Sequence, residues 1–432
     1  MKHREAISKL PQPAREIGRW SMLALALNSI VGSGIFGLPA VLAGLLGGLS
    51  AAAMLLGGLV TAVIVACYAE VASQFNASGG TYLYLQSAFG RLAGIESAWL
   101  MLLSRLTACA GSTNLVVAYL AEFWPAAEQP VPHLCLVTAI IGTLALFNLV
   151  GVGAGARLGN VAVAAKLGVL AFVVAVGALH FVHHPALPPA PAHVDAGRWL
   201  DAMLLLLFAY GGYEVAVNPM GEARNPKRDA PFALLTALAV VTLLYSALQT
   251  IVMSVLPDAA HSTRPLADVA RILMGGAAAG VVAAGALASV YGYLSANLLS
   301  VPRLVFALAD RGDFPAVFAR VHPVWRTPYV SILAFAAAVW ACALAEGFAW
   351  NITLSATARL LYYGALCAAV PVLRARHPDA TNFRIPGGRL LPLLGVLLCL
   401  ALGTRADYGK SLILVGTLAV GLANWIAVRR GR

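Results

Sequence analysis

Charge is scarce in this chain: Asp, Glu, Lys and Arg make up 11% of its 432 residues, against about 25% in an ordinary soluble domain. That shortage excludes a water-exposed surface over most of the molecule. Long polar segments are missing as well, the longest being His180 to Arg198 and Pro257 to Arg271, and neither is long enough to fold as a soluble domain. The six cysteines sit mostly within apolar blocks and show no CxxC or other ligand spacing, which argues against a cysteine-based metal site. They read as small apolar packing residues. Paired acids, or a nucleophile with its base, are lacking at membrane depth, which argues against an intramembrane enzyme. Rings of like charge and a large sensor domain are also lacking, which argues against a channel or receptor. His180, His183, His184 and His193 fall in a Pro-rich stretch and read as a solvated loop rather than a metal site. No cofactor and no metal ion is expected.

What is abundant is apolar surface. The chain is 60% hydrophobic, with a mean hydropathy of +0.82, and its apolar residues fall into about twelve blocks of roughly 20 residues, the length that crosses ~30 Å of hydrocarbon. The expected fold class is therefore all-α integral membrane. A charged segment precedes the first block, which is too long for the apolar core of a signal peptide and is expected to remain as a span. Lys and Arg set the orientation, because they are retained on the cytoplasmic side during insertion. With the N-terminus inside, the basic residues from Lys2 to Arg19, with Arg91, Arg157, Arg224 to Arg228, Arg303 to Arg326, Arg374 to Arg389 and Arg429 to Arg432, are all cytoplasmic. Only Arg198, Arg264, Arg271, Arg405 and Lys410 then lie outside. Both termini are accordingly placed in the cytoplasm and the chain in the cell (inner) membrane. The formal net charge of +11 follows from this asymmetry and needs no nucleic-acid partner.

Two blocks are interrupted. The first, Trp20 to Leu46, contains Val31-Gly32-Ser33-Gly34-Ile35-Phe36-Gly37, and the sixth, Leu200 to Pro219, contains Phe208-Ala209-Tyr210-Gly211-Gly212-Tyr213-Glu214. Glycine weakens a helix by about 1 kcal/mol relative to alanine, and open main chain in lipid is tolerated only beside a cavity or buried in protein. Paired breaks at corresponding places in two halves are what an inverted-repeat transporter shows in its sequence. The freed amides favour a carboxylate and the freed carbonyls an ammonium group, so a zwitterion suits both. Close packing of helices through small residues is the alternative reading of the same glycines.

Gly32-Ser33-Gly34-Ile35-Phe36 resembles the G-S-G-I-F signature of the amino acid, polyamine and organocation (APC) superfamily. Tyr68-Ala69-Glu70 with Ser78-Gly79-Gly80-Thr81-Tyr82, Glu222 to Arg228, and Arg303 to Pro315 with Thr327-Pro328 resemble three further stretches of that family, in the same order. The resemblance implies about 12 transmembrane helices in a LeuT-type 5+5 inverted repeat with helices 1 and 6 broken. On it, residues 1–19 form a cytoplasmic segment, 20–185 the first repeat, 186–375 the second, and 376–432 helices 11 and 12 with the C-terminus. It implies a permease carrying amino acids by alternating access, as symporter or antiporter. The substrate's carboxylate would meet Gly32, Ser33 and Gly34, beside Ile35, and its amine the carbonyls around Val31, Phe208 and Ala209, next to Gly211. Cys109, Tyr210 and Asn297 would face the pocket. None of these is a charged residue, which favours a neutral amino acid.

Charges within the blocks need a reason, because a Lys at mid-membrane costs at least about 2.5 kcal/mol on insertion scales. Lys166 lies about ten residues into its block, hence ~15 Å deep. Lys is the basic side chain able to gain and lose a proton when buried. By resemblance to proton-coupled members of the superfamily, it would stand in for a sodium ion beside the broken first helix; static pairing is the alternative. Glu214, at the end of the second break, is a second candidate for proton coupling or a structural carboxylate. Glu96, Arg105 and Arg359 are also intramembrane and are expected to bond other helices; for Arg105, one turn from Cys109, a substrate contact is the alternative. Glu70 and Arg303 are gate candidates. The expected partners are an amino acid, protons and the lipid bilayer; the sequence leaves the oligomeric state open.

Overall fold

The computed structural model describes residues 17–75, 79–151, 155–183, 193–218, 220–376 and 383–430; the side chains of residues 155–165, 221, 226 and 430 lie outside that description. Ser78, His184, Pro219, the first 16 residues and the side chain of Arg157 therefore carry expectations that lie outside the described residues.

Every described span is helical, as hydrocarbon requires, since only a helix or a closed barrel satisfies its own backbone there. In chain order the helices are α1 (Arg19–Ile30), α2 (Gly34–Leu46), α3 (Ser50–Ser73), α4 (Gly80–Phe89), α5 (Arg91–Leu120), α6 (Pro130–Val150), α7 (Gly155–His183), α8 (Ala196–Ala209), α9 (Pro226–Val255) and α10 (Pro265–Met274). They continue with α11 (Gly276–Asp310), α12 (Tyr329–Ala345), α13 (Phe348–Arg376), α14 (Leu390–Gly403) and α15 (Tyr408–Arg430). Among the described residues, eight segments are long and apolar enough to cross a membrane, and α12 and α14 are shorter apolar helices. Proline opens α6, α9 and α10, where its missing N–H costs nothing. Gly151, in the left-handed conformation, closes α6, as a C-terminal glycine does.

The second polar stretch holds more structure than its composition announces. Pro257 to Arg271 contains most of α10, and α4 occupies the segment after α3. α3 packs along α9, α5 along α13, and α7 along α11. α1 lies against α9, and α2 against α8.

Ion pairs mark the two ends of the bundle. Arg264 and Arg271 reach Glu122, just past the end of α5, while Arg91 at its start reaches Asp313 at 2.6 Å. At the Arg91 end, Arg374 donates to both oxygens of the fully buried Glu70, at 2.5 and 2.7 Å. The amide of Ile385 adds a third bond to Glu70 at 2.9 Å. Ile17 bridges to the strand-like turn at Ala223, which ties the start of the described chain to the segment after the sixth block.

Both predicted breaks are present. α1 ends at Ile30 and α2 begins at Gly34, leaving Val31 to Ser33 outside any helix. The second break is not its mirror image: α8 stops at Ala209, and a single tight turn, Tyr213–Val215, follows Gly211 and Gly212 in place of another helix. Gly212 has φ +107°, and a Cβ there would lie 2.3 Å from the carbonyl oxygen of Ser29. Gly34 approaches the Cα of Ala209 to 3.1 Å from its own Cβ position, so close packing and helix opening occur side by side.

Two stability outcomes follow. Gly212→Ala adds both left-handed strain and a clash, and is expected to lose about 2 kcal/mol or more, read as a fall in melting temperature in detergent. Gly168→Ala, inside α7 and with its Cβ in open space, should melt at or above the parent temperature. Arg374→Ala leaves Glu70 charged and buried and should cost about 3 kcal/mol, measured the same way. Glu70→Gln should cost less, because the Arg374 side chain, 17% exposed, reaches water.

Candidate site at the helix breaks

Ending α1 at Ile30 frees carbonyls that a continuous helix would have used, and each needs a donor. Lys166 of α7 supplies two of them. Its ammonium donates to the main-chain oxygen of Asn28 at 2.6 Å, to Asn28 Oδ1 at 2.5 Å and to the main-chain oxygen of Val31 at 2.7 Å. The Tyr245 hydroxyl of α9 donates to Ile30 at 3.3 Å. Lys166 is 5% exposed, and these three acceptors are neutral oxygens. Of the first amides of α2, Phe36 N–H donates to the Ser33 carbonyl at 3.2 Å, and the amides before it have no acceptor within the helix. Ser33 Oγ accepts from Ser112 Oγ of α5 at 2.7 Å.

At the second break, Gly211 N–H donates to Phe208 at 3.0 Å, and Gly212 N–H donates to Glu214 Oε2 at 2.9 Å. Val31 and Phe208 carbonyls, which the resemblance offers to a substrate amine, thus already accept one bond each. Their second lone pairs remain, since a carbonyl oxygen can accept twice. Tyr363 of α13 donates to Glu214 Oε2 at 3.1 Å. Tyr213 and Tyr363 stack at 5.6 Å, and Tyr68 meets both edge-on, so an aromatic block holds the turn after the break.

A cavity of about 490 Å³ lies between the breaks. Val31, Gly32, Ser33, Gly34, Phe208, Ala209, Gly211, Asn297 and Lys166 line it. Ile35, Cys109 and Tyr210 are buried outside its wall; Tyr210 instead donates to Met54 at 2.8 Å. Glu214, 2% exposed, sits one layer behind the wall. From the breaks the cavity runs past Tyr82, Arg311 and Phe314, toward the end of the bundle where Arg91 holds Asp313. The other end is shut: a Cβ on Gly37 would lie 2.6 Å from the Phe348 ring, and Tyr119 donates to Phe36 at 2.9 Å.

The wall also carries charges, among them Arg105, for which a substrate contact is the alternative reading. Arg105 and Arg359 both line the cavity, so the premise behind a neutral substrate, a wall free of charged side chains, does not hold. Arg105 donates to Asn297 Oδ1 at 3.2 Å and to Glu214 Oε1 at 3.4 Å. Arg359 donates to Ser104 at 3.1 Å, and its Nη1 lies 4.0 Å from Glu214 Oε1. Both bond other helices, as intramembrane charges are expected to. Glu96 differs: its Oε2 is buried against Gly421 of α15 with no hydrogen-bond partner.

The gate candidates are far apart in role. Glu70 is locked to Arg374, whereas Arg303 is exposed and donates to Leu299 of its own helix at 2.6 Å. Asn28 and Tyr293 were missed by sequence reading, although Asn28 stands one turn before the first break. A Cβ on Gly32 would meet the Tyr293 ring at 3.6 Å, which places that ring against the first break, in the cavity wall.

Comparison with known proteins agrees with this architecture. The amino acid permease family profile matches residues 17–404. The methylthioribose transporter of Bacillus subtilis (strain 168) is 28% identical over 426 residues, covering 91% of this chain and 89% of the relative. The branched-chain amino acid permease of the same organism is 27% identical, covering 96% and 93%, and its serine/threonine exchanger is 26% identical, covering 74% of each. This multi-pass membrane protein belongs to the amino acid permease family.

Proposed function

We propose that the protein is a secondary active carrier of amino acids that works by alternating access, independent of sodium and coupled to protons. The observation that carries the reading is main chain opened on both sides of one cavity, with the ammonium of Lys166 on the carbonyls of the first break. A fixed cation there takes the oxygens that a bound sodium ion would need, and a lysine can give up its proton where an arginine cannot. The substrate's carboxylate is assigned to the amides of Gly32, Ser33 and Gly34, and its amine to the carbonyls of Val31, Phe208 and Ala209. Gly211 allows the close approach of the second break, and Asn297 borders the same space.

Glu214 is assigned as the group that answers the change at Lys166. It touches the second break through Gly212 and both arginines of the wall, so a change in its charge reaches the cavity directly. Alternation requires the two ends to open in turn. With both termini placed in the cytoplasm of a cell-membrane protein, the end at Arg91 and Asp313 is the inner one, and the cavity faces inward. The twelve-span, 5+5 arrangement belongs to this reading, with Glu70 and Arg303 on the inner side.

Exchange of one amine for another is the second reading, favoured by the similarity to a serine/threonine exchanger. Vesicles separate the two. In liposomes carrying the purified protein, uptake should respond to an imposed pH gradient and not to sodium, and should proceed without internal substrate. Uptake only into preloaded vesicles would establish exchange instead. Lys166→Ala should lower gradient-driven uptake about tenfold or more while leaving the protein monodisperse. Full proton-driven uptake by Lys166→Ala would refute the role given to this lysine.

A further inference from the structure

The charges around the cavity do not cancel. Lys166, Arg105 and Arg359 line its inner part, Arg311 lies toward its mouth, and among the described residues lining it none is acidic. Glu214, behind the wall, is the single carboxylate among the described residues that pairs with the two arginines. It is also shared, because its Oε2 accepts from Gly212 N–H and from the Tyr363 hydroxyl.

Arg359 is the more telling of the pair. It is 3% exposed, yet its Nη1 is buried with no hydrogen-bond partner. That nitrogen projects at the second break so closely that a Cβ on Gly211 would lie 1.7 Å from it. An unmet donor on a buried charge is costly, and native structures keep one where something else completes it. Arg105 is the more accessible, its side chain 14% exposed, and its bond to Glu214 at 3.4 Å is long. A guanidinium matches a carboxylate in shape, donating through two parallel N–H groups.

The geometry also sets the reach. The Phe208 ring lies under the Arg359 guanidinium at 5.2 Å, and the same ring is 3.6 Å from the Cβ position of Gly34 at the start of α2. One short molecule can therefore meet the amides of α2 with one end and the guanidinium groups with the other.

We infer that the substrate is an amino acid with an anionic side chain, whose second carboxylate docks between Arg105 and the unpartnered Nη1 of Arg359. The inference rests on the amino acid carrier reading above and names the side-chain class. Glu214 then positions the arginines and is not itself a contact of the substrate. Neutral amino acids leave Nη1 unmet, and cationic ones add like charge to a cationic wall.

Counterflow in liposomes tests this with L-glutamate, L-aspartate, L-serine, L-leucine, L-lysine and succinate as probes. Glutamate or aspartate should exchange saturably and compete about tenfold or more better than the neutral and cationic amino acids. Succinate, which lacks the amine, should compete poorly. Arg105→Gln should abolish the preference by lowering acidic competition at least as much relative to serine and leucine, and Arg105→Lys should restore part of it. Saturable movement of serine, leucine or lysine, with no movement or competition by glutamate or aspartate, overturns the side-chain assignment and leaves the carrier standing. Movement of no amino acid at all overturns the carrier reading and the assignment with it. Succinate competing as well as glutamate overturns the requirement for an amine. Should Arg105→Gln fail to fold, the wild-type competition series alone decides.

Discussion

Everything at the centre of this protein depends on how open main chain is satisfied inside a membrane. A break at Val31 to Ser33 exposes carbonyls where hydrocarbon offers no donor, and each unmet group there costs several kcal/mol. One ammonium, brought in by α7, answers two of the backbone oxygens and the Asn28 side chain together. Tyr245 answers a third carbonyl from α9. The break is thus held open by side chains from two other helices, and those helices cannot move without re-exposing it.

The second break is stabilised by different means. Gly212 turns in a conformation that L side chains rarely adopt, tight against Ser29 of the first break. Its amide is taken by Glu214, and the tyrosines of α3 and α13 pack the turn that follows. The two openings touch each other, so a shift in one is felt in the other. Arg105 and Arg359 extend that coupling to α5 and α13 through a single shared carboxylate. Buried ionic groups of this kind contribute little net stability, and their value here is in fixing which parts of the wall move together.

Much of this was legible in the residues. Glycines in the middle of apolar blocks have no place in a continuous span, and they located both breaks to within a few positions. Lys166 declared itself by depth alone, because a cation ten residues into an apolar block must have oxygens to meet. The wall charges were harder to place. Arg105, Glu214 and Arg359 come from α5, the second break and α13, and helices that are apolar on most sides carry no periodicity to say which face turns inward. Cys109 and Tyr210 illustrate the same limit: both sit in the right helices but are buried outside the cavity wall. The missing second helix after Gly212 was not legible either, since Tyr213 to Val215 are compatible with any helical continuation until the packing of three tyrosines is known.

The account is tested most directly by a density map of the protein in lipid nanodiscs without sodium, at a resolution that traces main chain and large side chains. It predicts helix ends at Ile30 and Ala209, with the Lys166 ammonium in contact with the Val31 carbonyl. A continuous helix through Val31 to Ser33, or a Lys166 side chain turned toward lipid, would contradict it.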